Sequence, residues 1–272
     1  MPQSLPPLTR LILIVNTLMF GVLSYRSASL FSPRNEDLIL LGARFPYLLA
    51  QGEWWRLITP IVLHVGLIHF IFNYLGLKYL GPFFERLLGM RWFLLCYVLC
   101  GIIGNIASSF TNLAIGAGAS GALFGLIGMG MVMEWRGFYR HGGFSLVFTQ
   151  PFALSRFFEQ LRQFFRVVKV MPFTWLACIN LAIALVFNVL MSLRHGGTVL
   201  MDNAAHLGGM GGGIALAIAY FGVTAPANTP TWHKVFAYGL LVLIIAGIVA
   251  SGYLLCTTDM LIQRYLEMIH GE

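Results

Sequence analysis

Apolar runs close to 20 residues long recur along this chain, at about 9–25, 62–81, 92–110, 119–135, 172–192, 204–222 and 234–256. A run of that length crosses the roughly 30 Å hydrocarbon layer of a bilayer as a helix. Lipid offers the backbone no hydrogen-bond partners, so a spanning segment must pair its own N–H and C=O groups. The alternation with period 2 that a membrane β-barrel requires is absent. Composition agrees: 58% of the 272 residues are hydrophobic and 10% are charged, against roughly 25% charged in soluble domains. The expected fold class is all-α, a polytopic transmembrane helical bundle, in an integral membrane protein.

The net charge of +7 would raise nucleic acid as a partner in a soluble chain. In a membrane chain the sorting of Lys and Arg among loops carries the information instead, and no nucleic-acid partner is expected. With the N-terminus in the cytoplasm, Arg10, Arg86, Arg91, Arg136, Arg140, Arg156, Arg162, Arg166, Lys169 and Lys234 fall inside, and Arg26, Arg34, Arg44, Arg56, Arg194 and Arg264 outside. The excess inside predicts a cytoplasmic N-terminus and an outer C-terminus. "YRSAS" after the first span imitates a signal-peptide end, but an arginine in the cleavage region argues for a retained anchor. Cys96, Cys100, Cys178 and Cys256 form no CxxC pair and read as small buried apolar residues.

The stretch 26–61 is too interrupted to span and too apolar for a loop in water. It reads as an amphipathic piece at the outer interface, anchored by Trp54 and Trp55. "SRFFEQLRQFFRVVKV", within the basic segment 136–169, reads as an amphipathic helix on the cytoplasmic leaflet of the lipid bilayer. "GVTAPANTPTW" is a Pro-rich linker. The expected organisation is a six-helix core over 1–222, a linker over 223–233, a seventh transmembrane helix over 234–256 and a tail over 257–272.

Polar residues inside such spans are costly and by default mark function. The second span carries His64, His69 and Asn73, the fourth carries Ser120 within GAGASGALFGLIG, and the sixth opens with His206 in DNAAHLGGMGGG. Even-numbered spans all enter from one face, here the outer one, so Ser120, His206, His69 and Asn73 fall at similar shallow depth at about 1.5 Å per residue. Their chemistry is complementary. A serine hydroxyl needs a base, and neutral imidazole serves near pH 7. His69 and Asn73, on one helix face, could donate to a developing oxyanion. Gly121 and Gly125 form a GxxxG of the kind that lets membrane helices touch. With Gly118 and with Gly209 and its neighbours, they would bring Ser120 within reach of His206. Phe124, one turn after Ser120, could pack on the imidazole. Asp202 could orient that ring, but helix capping is the better account of it, which leaves a dyad.

No phosphate-loop Lys-Ser/Thr follows the glycines. His64 and His69, five apart, are expected on different helix faces and no acidic ligand pair accompanies them, so neither metal nor other cofactor is expected. Mid-span charges of the sort a transporter needs are scarce.

These residues resemble the rhomboid family of intramembrane serine proteases, across roughly residues 38–222. The resemblance rests on "EWWR", "HVGLIHFIFN", "GASG" and "AAHLGG" in the family's order, with "ERLLG" after the second span. It implies a rhomboid-like core with six plus one helices, as in bacterial secretase-type members, and a bacterial inner membrane location. It implies Ser120 as nucleophile, His206 as general base and His69 and Asn73 as oxyanion donors. Gly118 and Gly209 would allow close helix contact, and Trp55 and Arg56 would hold the first outer loop in the membrane. Phe124 stands where many members have tyrosine. Substrates would be single-span membrane proteins with an outer N-terminus, entering a cavity capped by the loop around 194–201. A catalytically silent relative that binds membrane clients is the alternative; nothing in the sequence fixes an oligomeric state.

Overall fold

The computed structural model describes residues 4–140, 172–195, 202–223 and scattered positions from 235 to 250. The expected cytoplasmic helix within 136–169, the cap around 194–201, the linker and the tail fall wholly or mostly outside the described residues, as does Cys256. Among the described residues all regular structure is helical apart from one isolated β-bridge.

Six long helices form the bundle: α1 Pro7–Ser27, then α4 Leu67–Leu88, α5 Met90–Thr111, α6 Ser120–Arg140, α7 Pro172–His195 and α8 Asn203–Val223. Between α1 and α4 lie α2 Asn35–Leu40, α3 Pro46–Ala50 and two 3-10 turns, Trp54–Leu57 and Thr59–Val62. By length and composition Pro7–Ser27, Met90–Thr111 and Asn203–Phe221 are apolar enough to cross a membrane. The described positions from 235 to 250 are also helical.

The largest departure from expectation is the start of α4, at Leu67 and not near 62. Gly66, just before it, has φ +91, and a Cβ there would land on the Phe31 carbonyl. The backbone therefore breaks at this glycine, because side chains rarely tolerate that conformation. His64 consequently lies ahead of the helix, not on it.

The segment between α1 and α4 is also more than an interfacial strip. Its folded turns are tied together by Arg56, 6% exposed, which donates to the carbonyls of Ile39 at 2.7 Å and Ala43 at 3.0 Å and pairs with Glu53 at 2.6 Å. Trp54 and Trp55 remain exposed beside it. The Arg56 cation faces inward onto those two carbonyls, and that of Ile39 also accepts the Gly42 N–H at 3.1 Å.

At the other end of the bundle two carboxylates cap the starts of α1 and α7. Glu85, near the end of α4, accepts from the backbone N–H groups of Leu8 and Thr9 and from the Thr9 hydroxyl, at 2.9, 2.7 and 2.7 Å. Glu134, on α6, accepts in the same way from Phe173, Thr174 and the Thr174 hydroxyl at the start of α7. A negative group at a helix N-terminus pairs with free donors and with the positive end of the helix dipole.

α5, α6 and α8 make the most intimate packing. Around them a continuous core includes Leu77, Phe84, Phe93, Cys96, Cys100, Leu126, Met129 and Leu216. Cys96 and Cys100 are buried as expected, whereas Cys178 is exposed on α7.

Candidate functional site

α4, α6 and α8 all begin at the end of the bundle that carries the 28–66 segment, because each long helix is followed by one of opposite direction. Three of the chemically interesting side chains sit in first turns: His69 on α4, Ser120 as the first residue of α6, and His206 on α8. Asn73 follows one turn after His69.

Glycines determine how closely these turns approach. A Cβ at Gly209 would land on the carbonyl of Gly121, and one at Gly213 on the carbonyl of Gly125. Gly104 of α5 faces both neighbours, with a Cβ there falling 2.7 Å from the Ala205 oxygen and 3.3 Å from the Gly121 Cα. Backbone therefore meets backbone along α6 and α8. Gly121 contributes by presenting its backbone, since its own Cβ would meet Ala205 O at an ordinary 3.5 Å.

Gly118 works differently. It adopts φ +150, and a Cβ would sit 2.6 Å from His69 Cε1, 2.9 Å from His69 Nε2 and 3.7 Å from Ser120 Oγ. The missing side chain lets the imidazole of His69 lie against the turn that carries Ser120. The Gly118 N–H donates to Pro60 O at 2.9 Å, which fixes this turn to the 28–66 segment.

One turn after Ser120, Phe124 stacks on His206 with centroids 4.2 Å apart and planes 9° from parallel. His206 is 6% exposed, and its Nδ1 has no hydrogen-bond partner. Asp202 does not touch that nitrogen. Its Oδ1 caps α8 through the Ala205 N–H at 3.0 Å, and its Oδ2 accepts from Ser108 and pairs with Arg44. Ser120 Oγ, half-buried, makes no hydrogen bond to the imidazole among the described residues; such bonds are often long before substrate is bound. Asn73 is 4% exposed; its Nδ2 donates to the His69 carbonyl at 2.9 Å and its Oδ1 is unpartnered. One amide hydrogen is thereby committed to bracing α4, leaving one for other use.

His64 departs from expectation. Because it precedes α4, its ring comes to 5.6 Å from that of His69, edge to face, and is fully buried. Among the described residues no group of three metal-type ligands forms. Trp55 and Arg56 stand in the 28–66 segment and are not part of the cluster.

Sequence reasoning passed over Arg44, counting it only as a loop charge. It is 1% exposed, and its backbone forms the β-bridge to Gly116, with N···O distances of 2.8 and 2.9 Å. Burial draws its guanidinium below the ordinary arginine value, and the Asp202 carboxylate opposes that. Asn105 on α5, also missed, donates to Leu57 O at 2.9 Å and holds the first 3-10 turn to the bundle. Neither residue has a spacing signal, since each bonds to groups remote in sequence.

The chain is similar to several known proteins. The rhomboid domain model matches residues 51–223. The Bacillus subtilis rhomboid protease GluP is 35% identical over 215 residues, which make up 79% of this chain and 35% of that protein. The Toxoplasma gondii rhomboid-like protease 3 is 29% identical over 226 residues, covering 83% of this chain and 73% of that one. The Arabidopsis thaliana RHOMBOID-like protein 1 is 30% identical over 223 residues, covering 74% and 48%. The chain thus spans about a third of the length of GluP.

Proposed function

This chain belongs to the rhomboid family, and we propose that it is an intramembrane serine endopeptidase using Ser120 and His206 as a dyad. The observation that carries the reading is the Phe124–His206 stack one turn from Ser120, combined with the Gly118 turn that seats His69 beside Ser120 Oγ. In this reading nucleophile, base and a second polar ring share the end of the bundle at which α4, α6 and α8 begin.

In this reading His206 Nε2 takes the Ser120 proton as Oγ attacks a substrate carbonyl carbon. The carbonyl oxygen becomes an oxyanion, received by His69, by the free Asn73 N–H and by the backbone N–H groups at the start of α6, which have no partner within the helix. His206 then returns the proton to the leaving nitrogen as the C–N bond breaks, leaving an acyl-serine. Water, deprotonated by the same imidazole, attacks the acyl carbon and restores the hydroxyl. The unpartnered His206 Nδ1 favours a dyad over a triad with Asp202. Phe124 substitutes for an orienting acid by fixing the plane of the ring.

The substrates are single-span membrane proteins with their N-terminus on the face where α4, α6 and α8 begin, cut in or near the spanning segment. The excess of Lys and Arg in the intervening loops supports that face as the outer one, with the N-terminus cytoplasmic, the C-terminus outside and the whole in a bacterial inner membrane. Expressing the chain and its Ser120→Ala and His206→Ala variants with a transmembrane reporter tests the reading. Both substitutions should abolish cleavage and fluorophosphonate labelling while the protein stays folded in detergent. Unchanged cleavage by the serine variant would refute it, and a folded wild type that neither cleaves nor labels would favour the client-binding alternative.

A further inference from the structure

The dyad leaves one buried charge without a role. Arg44 lies between α2 and α3, yet its guanidinium reaches two other parts of the chain. Nη1 donates to Asn112 O at 2.9 Å and Nη2 to Ala114 O at 3.0 Å, both in the turn that leads from α5 to Ser120. Nη2 also pairs with Asp202 Oδ2 at 3.5 Å, at the start of the helix that carries His206. The neighbouring Gly116 accommodates this cation: a Cβ there would lie 2.7 Å from Nε and 2.8 Å from Nη2.

Asp202 is the matching hub. Its Oδ2 receives Ser108 from the last turns of α5 as well as Arg44, its Oδ1 caps α8, and its own carbonyl accepts the His206 N–H at 3.1 Å. The Arg44–Asp202 contact therefore joins the serine-bearing turn to the first turn of the histidine-bearing helix. The glycine contacts between α6 and α8 set how close the two helices are. Side chains of α5, Ala107 at Gly208 and Ile103 at Gly212, fill the glycine-lined face of α8, and a charged pair whose guanidinium is held by two carbonyls adds a directional restraint on the start of that helix.

We propose that Arg44 and Asp202 are positioning residues for catalysis, acting as one unit that sets the place of His206 relative to Ser120. The proposal rests on the protease reading above and adds to it two residues that do not touch substrate. Misplacement of a reacting group by about 1 Å is enough to cost on the order of 100-fold in rate.

The test compares the full chain in detergent as wild type, Asp202→Asn, Arg44→Gln and the double variant. Readouts are kcat and KM on a single-span substrate, the rate of fluorophosphonate labelling at Ser120, and Tm. Asparagine caps a helix as well as aspartate, so Asp202→Asn keeps the cap and removes the ion pair. The expected result is a fall in kcat of about tenfold or more in Asp202→Asn, measured on folded protein well below its Tm, with labelling slowed in step and KM within about twofold. The double variant should be no slower than the slower single, as for residues that act as a unit. Wild-type kcat in a folded Asp202→Asn protein overturns the proposal. So does a double variant whose loss is the product of the two single losses, or a kcat loss that only follows a fall in Tm. Should Arg44→Gln fail to fold, Asp202→Asn decides alone. A wild type that neither labels nor cleaves refutes the protease reading and the proposal together, whereas failure of the proposal alone leaves the wild type active.

Discussion

The contact between α6 and α8 makes a quantitative prediction at Gly209. Any side chain there meets the carbonyl of Gly121, which belongs to a helix backbone and cannot rotate aside. In Gly209→Ala the added methyl therefore forces the two helices apart or distorts one of them. Overpacking of this kind costs about 1–3 kcal/mol, while the higher helix propensity of alanine returns about 1 kcal/mol. Gly211, two residues along the same helix, supplies the internal control. Nothing lies within 4 Å of a Cβ built on it, so Gly211→Ala should collect the propensity gain with no steric loss. The two variants should then differ in stability by about 1–3 kcal/mol, the size of the steric term itself. Gly121→Ala, with an ordinary 3.5 Å contact, should fall between them.

The assay is thermal unfolding in detergent for all three, alongside cleavage of a transmembrane substrate. Gly209→Ala should lose activity beyond its loss of folded protein, because a shift of α8 carries His206 and its stack on Phe124 away from Ser120. Gly211→Ala should cleave as the wild type does. Equal unfolding temperatures for Gly209→Ala and Gly211→Ala would refute the claim that backbone contact at Gly209 holds the site together.

Two further tests address groups away from the dyad. Glu85→Gln keeps one acceptor but removes the charge that takes three hydrogen bonds from the start of α1; at about 1.5–3 kcal/mol for a hydrogen bond to a charged group, Tm should fall clearly while labelling of the folded fraction continues, and an unchanged Tm would show that the cap is dispensable. Asp37 receives hydrogen bonds from Ser27 and Arg34 and lies beside Arg26. Burial alone would raise its carboxyl, but the Ser27 and Arg34 bonds and the two arginine charges leave it below the ordinary value. A carboxylate lowered in the folded state adds stability above its unfolded value and loses it as pH falls through the folded one. The wild type should therefore become less stable below about pH 4, and Asp37→Asn should flatten that part of the pH profile of Tm; an identical acid limb in both would remove the role assigned to Asp37.

Much of the bundle was legible because spanning a membrane is a severe constraint. Runs of apolar residues marked α1, α5, α7 and α8 to within a few residues, since a spanning helix must be long, apolar and internally hydrogen-bonded. The shared end of α4, α6 and α8 followed from alternation of direction alone, and so did the grouping of His69, Ser120 and His206. The start of α4 was not legible. Apolar character continues through "PIVLHVG", and only the positive φ of Gly66, where a Cβ would also meet the Phe31 carbonyl, reveals where the helix begins. The error carried over to His64, which a continuous helix would have turned away from His69. Arg44 and Asn105 were hidden for a different reason: a side chain that bonds to remote backbone carbonyls leaves no periodicity in its own neighbourhood.

The two ends of the bundle solve the same problem with opposite charges, and the difference bears on function. Where α1 and α7 begin, the free groups are N–H donors, and Glu85 and Glu134 accept from them. Where α2 and α5 finish, the exposed groups are carbonyls, and Arg56 and Arg44 donate to them, that of Ile39 being shared with the Gly42 N–H. In lipid such groups have no water to turn to, so each needs a partner supplied by the chain itself. A carboxylate that caps one neighbouring helix ties two elements together. A guanidinium, with five donors in a rigid fork, can tie more, and Arg44 reaches the turn before Ser120 and the start of α8 at once. Polar bonds at the Glu85 end therefore bear chiefly on whether the bundle holds. At the Arg44 end the same kind of bond, on the reading proposed above, also sets where Ser120 and His206 stand, so substitutions there should lower activity by more than their loss of stability explains, in a way that those at Glu85 do not.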